Sequence, residues 1–193
     1  LSVQVMGYGA RSVKIKDFYA IVEAHPDIFS AVSPTSSLSG SVKVGTETDA
    51  YSSTSVKGVS EAYLDMAGDR LATGRALNYV DMADNKKVCL VGDYISRVGY
   101  GGNAVGQSIK IGSEKYTIVG VLEAKIDDPS DQEGSSDDCI FVPYTTAMRV
   151  SNVSTASSYG VYVANDADLA LGKAILENGL QELLHSDSGY MVV

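Results

Sequence analysis

The C-terminal stretch YGVYVANDADLALGKAILENGLQELLHSDSGYMVV, residues 159–193, carries the pattern that decides the fold class. Residues 159–163 and 189–193 are rich in valine and tyrosine, which is typical of strands. Between them, leucine and isoleucine recur along one stripe of residues 167–185, which predicts a helix with Asp166 as its N-cap. The stretch therefore predicts a β-α-β unit.

The start of the chain repeats this pattern. Residues 2–6 alternate as a half-buried strand does, residues 16–24 have helical spacing and end at His25-Pro26, and residues 28–33 return as a strand. The middle is β-rich, with a predicted hairpin of residues 41–44 and 54–59, a loop at 68–84, and strands at 88–91, 108–111, 116–122 and 139–142. Two β-α-β units around this centre predict an α+β fold, one domain split by an insertion.

Charge and hydropathy exclude several classes of function. The 193 residues carry a net charge of −9, which disfavours nucleic acid and anionic membrane surfaces as direct partners. No apolar run reaches the ~18 residues of a membrane span, and no basic segment precedes an apolar one as in a signal peptide. Both ends resemble strands, so we expect the chain to be a segment of a longer protein.

The sequence offers little material for catalysis or cofactor binding. Residues 101–108, GGNAVGQS, approach the phosphate-binding loop, but Gln107 replaces its lysine and a strand pattern follows where a helix is needed. His25 and His185 lie at predicted helix ends, and no G-x-S-x-G motif is present. Two cysteines do not make a structural zinc site, which needs about four ligands, and with only two histidines a His-rich metal site is excluded. We therefore predict no catalytic residues, no cofactor and no structural metal.

One acidic segment has two interpretations, a calcium-binding loop or a solvated loop. Residues 127–138 hold six carboxylates, namely Asp127, Asp128, Asp131, Glu133, Asp137 and Asp138. Calcium takes six to eight oxygen ligands, so weak calcium binding is one interpretation. The ligand order of an EF-hand is absent, which favours a solvated loop.

Several motifs in fixed order resemble one protein family. They are VSEAYL at 59–64, LATGR at 71–75, Asp81, VCLVG at 88–92, VGQSIKI at 105–111, YTIVGVL at 116–122 and IFVPY at 140–144. Together they are similar to the periplasmic core domain of MacB-type ABC transporter permeases. Within them, the residues that the resemblance marks as structural are Tyr63, Gly74, Arg75, Gly106, Gly120 and Pro143. The chain departs from the family at Leu64 and Leu77, where an aromatic residue is common.

The resemblance implies both an architecture and a function. It implies a porter-like subdomain, residues 1–64 with 143–193, interrupted by a β-rich sabre-like subdomain, residues 65–142. It implies a non-catalytic domain on the extracytoplasmic face of the cell membrane, within an integral membrane protein that transmits ATP-driven movement. Its partners would be an ABC ATPase subunit, a second permease copy, and an exported substrate or envelope partner. The alternative is a secreted or surface binding module; the absent nucleophile and base disfavour a hydrolase.

An extracytoplasmic location permits a disulfide between Cys89 and Cys139, which lie on two strands of the predicted insertion. The bridge requires the two Cα atoms to lie within about 7 Å. The alternative is that both cysteines are free core residues, because buried cysteine behaves as a small hydrophobe.

Overall fold

A computed structural model describes residues 1–45, 51–127 and 133–193 of the chain. Its strands are β1 (Ser2–Val5), β2 (Phe29–Ser37), β3 (Val42–Lys43), β4 (Ser55–Val59), β5 (Leu71–Gly74), β6 (Val88–Val91), β7 (Ser108–Ile111), β8 (Glu114–Leu122), β9 (Cys139–Pro143), β10 (Ser158–Val163) and β11 (Tyr190–Val192). Its α-helices are α1 (Ile15–Glu23), α2 (Tyr63–Ala67), α3 (Tyr79–Ala83), α4 (Asp93–Tyr100), α5 (Tyr144–Ser151) and α6 (Leu169–Leu184). The predicted mixed α+β fold is confirmed.

The two ends of the chain build one antiparallel sheet with the order β11-β1-β10-β2. Helix α1 connects β1 to β2 across β10, and α6 connects β10 to β11 across β1. Each unit therefore joins two parallel strands with a strand of the other unit between them. This interleaving is the split β-α-β arrangement of ferredoxin-like folds.

One core, here called the terminal core, lies between this sheet and its two helices. Helix α1 contributes Phe18 and Val22, and α6 contributes Leu176, Leu180 and Leu184 at a spacing of four residues. This spacing places the three leucines on one face of the helix, as the sequence stripe predicts. Burying each of these side chains contributes roughly 1.5–3 kcal/mol to folding.

The sheet continues inward in the order β2-β4-β9-β6-β8-β7-β3. It carries a core on each face. The first inner core includes Val42, Ile111, Tyr116 and Cys89, and the second includes Leu90, Leu122, Phe141 and Cys139. Because side chains alternate across a strand, neighbours such as Cys89 and Leu90 serve different cores.

The structure corrects three local predictions. The hairpin of residues 41–44 and 54–59 is wrong, because β3 pairs with β7 while β4 pairs with β2 and β9. The stretch 68–84 is not one loop, since it holds β5 and α3. Residues 166–168 form a 3₁₀ turn, so α6 begins at Leu169, and Asp166 does not cap it.

The division into two subdomains stays a proposal. The terminal core draws on residues 3–29 and 156–192, whereas the two inner cores draw on residues 38–147. Helix α5 joins the first inner core through Ala147. We therefore propose that the subdomain boundaries lie within β2 and after α5, instead of at residues 64 and 143.

Candidate functional site

The two ends of the chain lie side by side on β1 and β11. The Ser2 N–H donates to the Val193 carbonyl at 2.8 Å, and the Val193 N–H donates to the Ser2 carbonyl at 2.9 Å. On the other side of β1, Leu1 and Val161 also exchange two hydrogen bonds, of 2.8 and 2.9 Å. The two ends of the chain are therefore adjacent in the fold. They are fixed to one another and to the middle of the terminal sheet.

A second feature is the ion pair between Arg75 and Asp81. Arg75 Nη1 donates to Asp81 Oδ2 at 2.7 Å, and Nη2 donates to Oδ1 at 3.1 Å, so the pair is bidentate. The Asp81 side chain is completely buried, whereas that of Arg75 is 44% exposed. Asp81 also accepts from the Asn78 N–H at 3.0 Å, while the Asn78 side chain accepts from the Asp81 N–H at 3.0 Å. This capping box starts α3, so Arg75 fastens a helix to β5 through one carboxylate.

The pKa of Asp81 follows from these contacts. Burial alone would raise it, because water no longer stabilises the charged form. The hydrogen bonds from Arg75 and Asn78, together with the positive charges of Arg75 and Lys86, outweigh burial and lower the pKa below its usual value. Asp81 is therefore ionised at neutral pH and serves as a structural anchor.

Gly74 and Gly120 allow β5 and β8 to approach closely beside this ion pair. Gly74 has φ +80°, and a Cβ there would lie 2.2 Å from the Val119 carbonyl oxygen. A Cβ on Gly120 would lie 2.5 Å from the Arg75 carbonyl oxygen. Only glycine fits both positions without moving backbone. These two motif residues, with Arg75, therefore act as one packing unit.

The other motif residues lie elsewhere. Tyr63 packs against Phe141, with ring centroids 5.0 Å apart, and burial raises its pKa. Pro143 ends β9 and is the N-cap of α5. Gly106 has φ +87° in the turn before β7, where its N–H donates to the Ile118 carbonyl at 2.8 Å. These three residues support local structure and do not gather at one site.

Two carboxylates of the acidic segment have structural partners. Asp137 accepts from the N–H groups of Lys125 and Ile126 at 2.9–3.1 Å. Asp138 accepts from the Thr54 hydroxyl at 2.6 Å and from the Gly134 N–H at 2.8 Å. Both carboxylates are thus engaged in hydrogen bonds to backbone or side-chain groups of the described residues. Of the remaining predicted calcium ligands, Asp128 and Asp131 lie outside the described residues.

The two cysteines do not meet. Both are free and buried, Cys89 in the first inner core and Cys139 in the second. Strands β6 and β9 pair Leu90 with Phe141, so Cys89 and Cys139 are offset by three positions, ~10 Å along the strand, and face opposite sides of the sheet. Burial raises both thiol pKa values, that of Cys139 to about 12. The geometry favours the alternative that both are core residues.

The two histidines both lie at helix ends. His25 lies two residues beyond the last residue of α1, and His185 is the C-cap of α6 with φ +52°. Within residues 1–45, 51–127 and 133–193, no three His, Cys, Asp or Glu side chains lie close enough to hold a metal ion. None of the described helices has both the length and the apolar character needed to cross a bilayer.

Sequence reasoning missed the capping box. Asn78 and Asp81 have the three-residue spacing of that motif, which was a readable signal inside the predicted loop. It did not connect Arg75 with Asp81, because an Arg and an Asp six residues apart meet only once β5 and α3 are known.

Comparison with known proteins identifies the chain's relatives. Residues 1–178 match a family model described as the MacB-like periplasmic core domain. The chain is 31% identical over 157 residues to the macrolide export ATP-binding/permease protein MacB 1/2 of Paracoccus denitrificans, covering 76% of this chain and 21% of that protein. It is 35% identical over 127 residues to the corresponding MacB of Pasteurella multocida, covering 64% of this chain and 19% of that protein.

Solved structures share the fold. The periplasmic region of MacB from Actinobacillus actinomycetemcomitans has a TM-score of 0.80 at 19% identity, covering 100% of this chain and 87% of that one. The extracellular domain of the ABC-type transporter YknZ, from Gram-positive bacteria, has a TM-score of 0.79 at 14% identity, covering 100% and 98%.

Proposed function

This chain belongs to the MacB-like periplasmic core domain family, and from that premise we propose that it is the extracytoplasmic, non-catalytic domain of an ABC transporter permease. Its curated relatives are ATP-binding/permease proteins, and the chain spans about a fifth of their length. The ATPase would be a separate domain or subunit. In this proposal the domain lies outside the cell membrane as part of an integral membrane protein.

We further propose that the domain transmits movement driven by ATP hydrolysis to an exported substrate or to a partner in the cell envelope. The observation that supports this is the pairing of the two ends through Ser2 and Val193. Segments that precede and follow the domain would reach it at one place on the sheet. Their movement would then turn the terminal sheet as a whole. A second permease copy would provide the opposing domain.

The experiment uses the full-length protein that contains this chain, together with its ATPase. A flexible linker of about ten Gly and Ser residues is inserted before Leu1 and another after Val193. Such a linker behaves as a random coil and transmits little directed movement. We expect ATP hydrolysis to continue while export, measured in vesicles or as resistance of cells to an exported compound, is lost.

A linker of the same composition between Gly101 and Gly102 is the control. Both glycines are exposed and have positive φ in the turn after α4. An insertion there changes chain length without separating the domain from its neighbours, so export should continue. If export survives the linkers at both ends, movement is not transmitted through them. The domain would then act as a surface binding module.

A further inference from the structure

Three lysines stand in a row on three neighbouring antiparallel strands. Lys43 of β3 lies opposite Lys110 of β7, and Lys110 lies opposite Lys115 of β8. Adjacent strands are about 5 Å apart, so the row spans roughly 10 Å. Lys110 and Lys115 are exposed, and Lys43 is half-buried.

The core beneath these strands shows which face of the sheet carries the three lysines. Val42, Ile111 and Tyr116 alternate with the lysines along the same strands and are buried in the first inner core. Because successive side chains point to opposite faces, the three lysines share the other face. The strands β3 and β11 close the two ends of the sheet order, so the row lies far from the paired chain ends.

The row has no neutralising partner on its own strands. The other same-face positions of β7 and β8 beside it hold Ser108 and Thr117. Glu114, which precedes Lys115 on β8, has the opposite orientation and forms an ion pair with Lys87. Among the described residues, none of the three lysines forms an ion pair.

Like charges directly opposite on a sheet are unfavourable. A lysine on an edge strand prevents that strand from pairing with another chain, and Lys43 on the edge strand β3 fits this role. Lys110 and Lys115 lie on inner strands, which need no such protection. The chain has a net charge of −9, yet these three lysines concentrate positive charge at one place. This arrangement favours binding of a negatively charged partner.

We propose that the row Lys43–Lys110–Lys115 is a docking surface for an acidic segment of a partner protein. On an extended segment, side chains of one face repeat about every 7 Å, and the flexible lysine stems accommodate the difference from the 5 Å strand spacing. A membrane or a nucleic acid is an extended polyanion, so it would also meet the negative charge of the rest of the domain. A short acidic segment meets the row alone. This inference goes beyond the proposed function and does not depend on it.

The test measures binding of a fluorescein-labelled twelve-residue peptide of alternating Glu and Thr to the 193-residue chain by fluorescence anisotropy. The protein variants are Lys43→Gln/Lys110→Gln/Lys115→Gln and a control, Lys14→Gln/Lys16→Gln/Lys57→Gln. The control lysines are exposed and lie away from the row, and both variants have the same net charge. Vesicles containing phosphatidylglycerol and inorganic polyphosphate are competing probes.

We expect saturable peptide binding that weakens with salt, since exposed charges are screened within about 10 Å at 0.1 M ionic strength. The row variant should bind at least about fivefold more weakly, because it loses three exposed ion pairs that each add modestly to the affinity. The control variant should change affinity less than twofold. Equal weakening in both variants, no binding of the peptide at millimolar concentration, or tighter binding to vesicles or polyphosphate would overturn the proposal.

Discussion

Replacing Arg75 by alanine should lower the free energy of unfolding of the domain substantially. The change leaves the carboxylate of Asp81 completely buried without its cation. Removing one partner of a fully buried ion pair costs about 3–5 kcal/mol, whereas an exposed pair contributes about 0–1 kcal/mol. Arg75 is 44% exposed, so solvent screens part of the interaction. We therefore expect a loss of about 2 kcal/mol at pH 7.

The effect of Arg75→Ala should depend on pH with a defined sign. The pKa of Asp81 is lowered in the folded state, so the pair stabilises the fold above the unfolded value of about 3.9. This stabilisation disappears as the pH falls through the folded pKa. The difference between wild type and variant should accordingly be complete near pH 7 and shrink below about pH 4.

Urea unfolding, followed by far-UV circular dichroism or by the fluorescence of the twelve tyrosines, provides the measurement. Lys173→Ala is the control, because it removes an i,i+4 pair with Glu177 in which both side chains are more than 40% exposed. It should cost less than about 0.5 kcal/mol. In the Arg75→Ala background, Asp81→Asn should be neutral or stabilising, since it removes the unpaired buried charge. An Arg75→Ala cost no larger than that of Lys173→Ala would refute the reasoning.

Two further predictions concern the close approach at Gly74 and the two cysteines. Gly74→Ala should destabilise the domain by more than ~2 kcal/mol in urea unfolding, because its Cβ would meet the Val119 carbonyl, whereas Gly106→Ala, with positive φ but open space, should cost only ~1 kcal/mol. Equal costs would exclude the close approach as the cause. For Cys89 and Cys139 we expect two thiols that iodoacetamide alkylates only after unfolding, because both are buried and free; a non-reduced mass two units lower, with no alkylation, would contradict this.

The terminal β-α-β units were predictable from the sequence because their signals are local. In α6, leucines recur at helical spacing, and β10 and β11 are short apolar runs that flank it. Each unit contains its own strands and its own helix, so a window of about thirty residues holds the whole pattern.

The pairing of the inner strands was not predictable in the same way. Strand β3 has only two residues, Val42–Lys43, and its partner β7 is more than sixty residues away. Strand β5 is mostly exposed, so its hydrophobic pattern is weak, and its pairing with β8 alone makes it a strand. Residues 41–44 and 54–59 are close in the sequence, which favoured a hairpin between them. The most stable strand pairing is instead formed by strands that are far apart in the sequence, and a single sequence does not show which strands these are.

The candidate site was likewise predictable from the sequence only where its signals are local. The family motif identified Gly74, Arg75 and Asp81 as residues of interest, and Asn78 to Asp81 carries a readable capping signal. Their joint role depends on the contact of β5 with β8, which places the Arg75 carbonyl against Gly120. The lysine row is likewise a product of register, because Lys43 lies far from Lys110 along the chain and opposite it in the sheet.

The reciprocal bonds between Ser2 and Val193 also determine how the domain resists force. Strands β1 and β11 are antiparallel and terminate together, so drawing the ends apart would open their ladder like a zipper, one pair after another. Each step breaks bonds worth only about 1 kcal/mol each. A pull in one direction on both ends breaks none of these bonds and passes through Leu1 and Val161 into β10. The pairing of β1 with β11 is therefore weak when the two chain ends are pulled apart and stiff when both are displaced in the same direction. Any force that acts through this pairing must move both ends together.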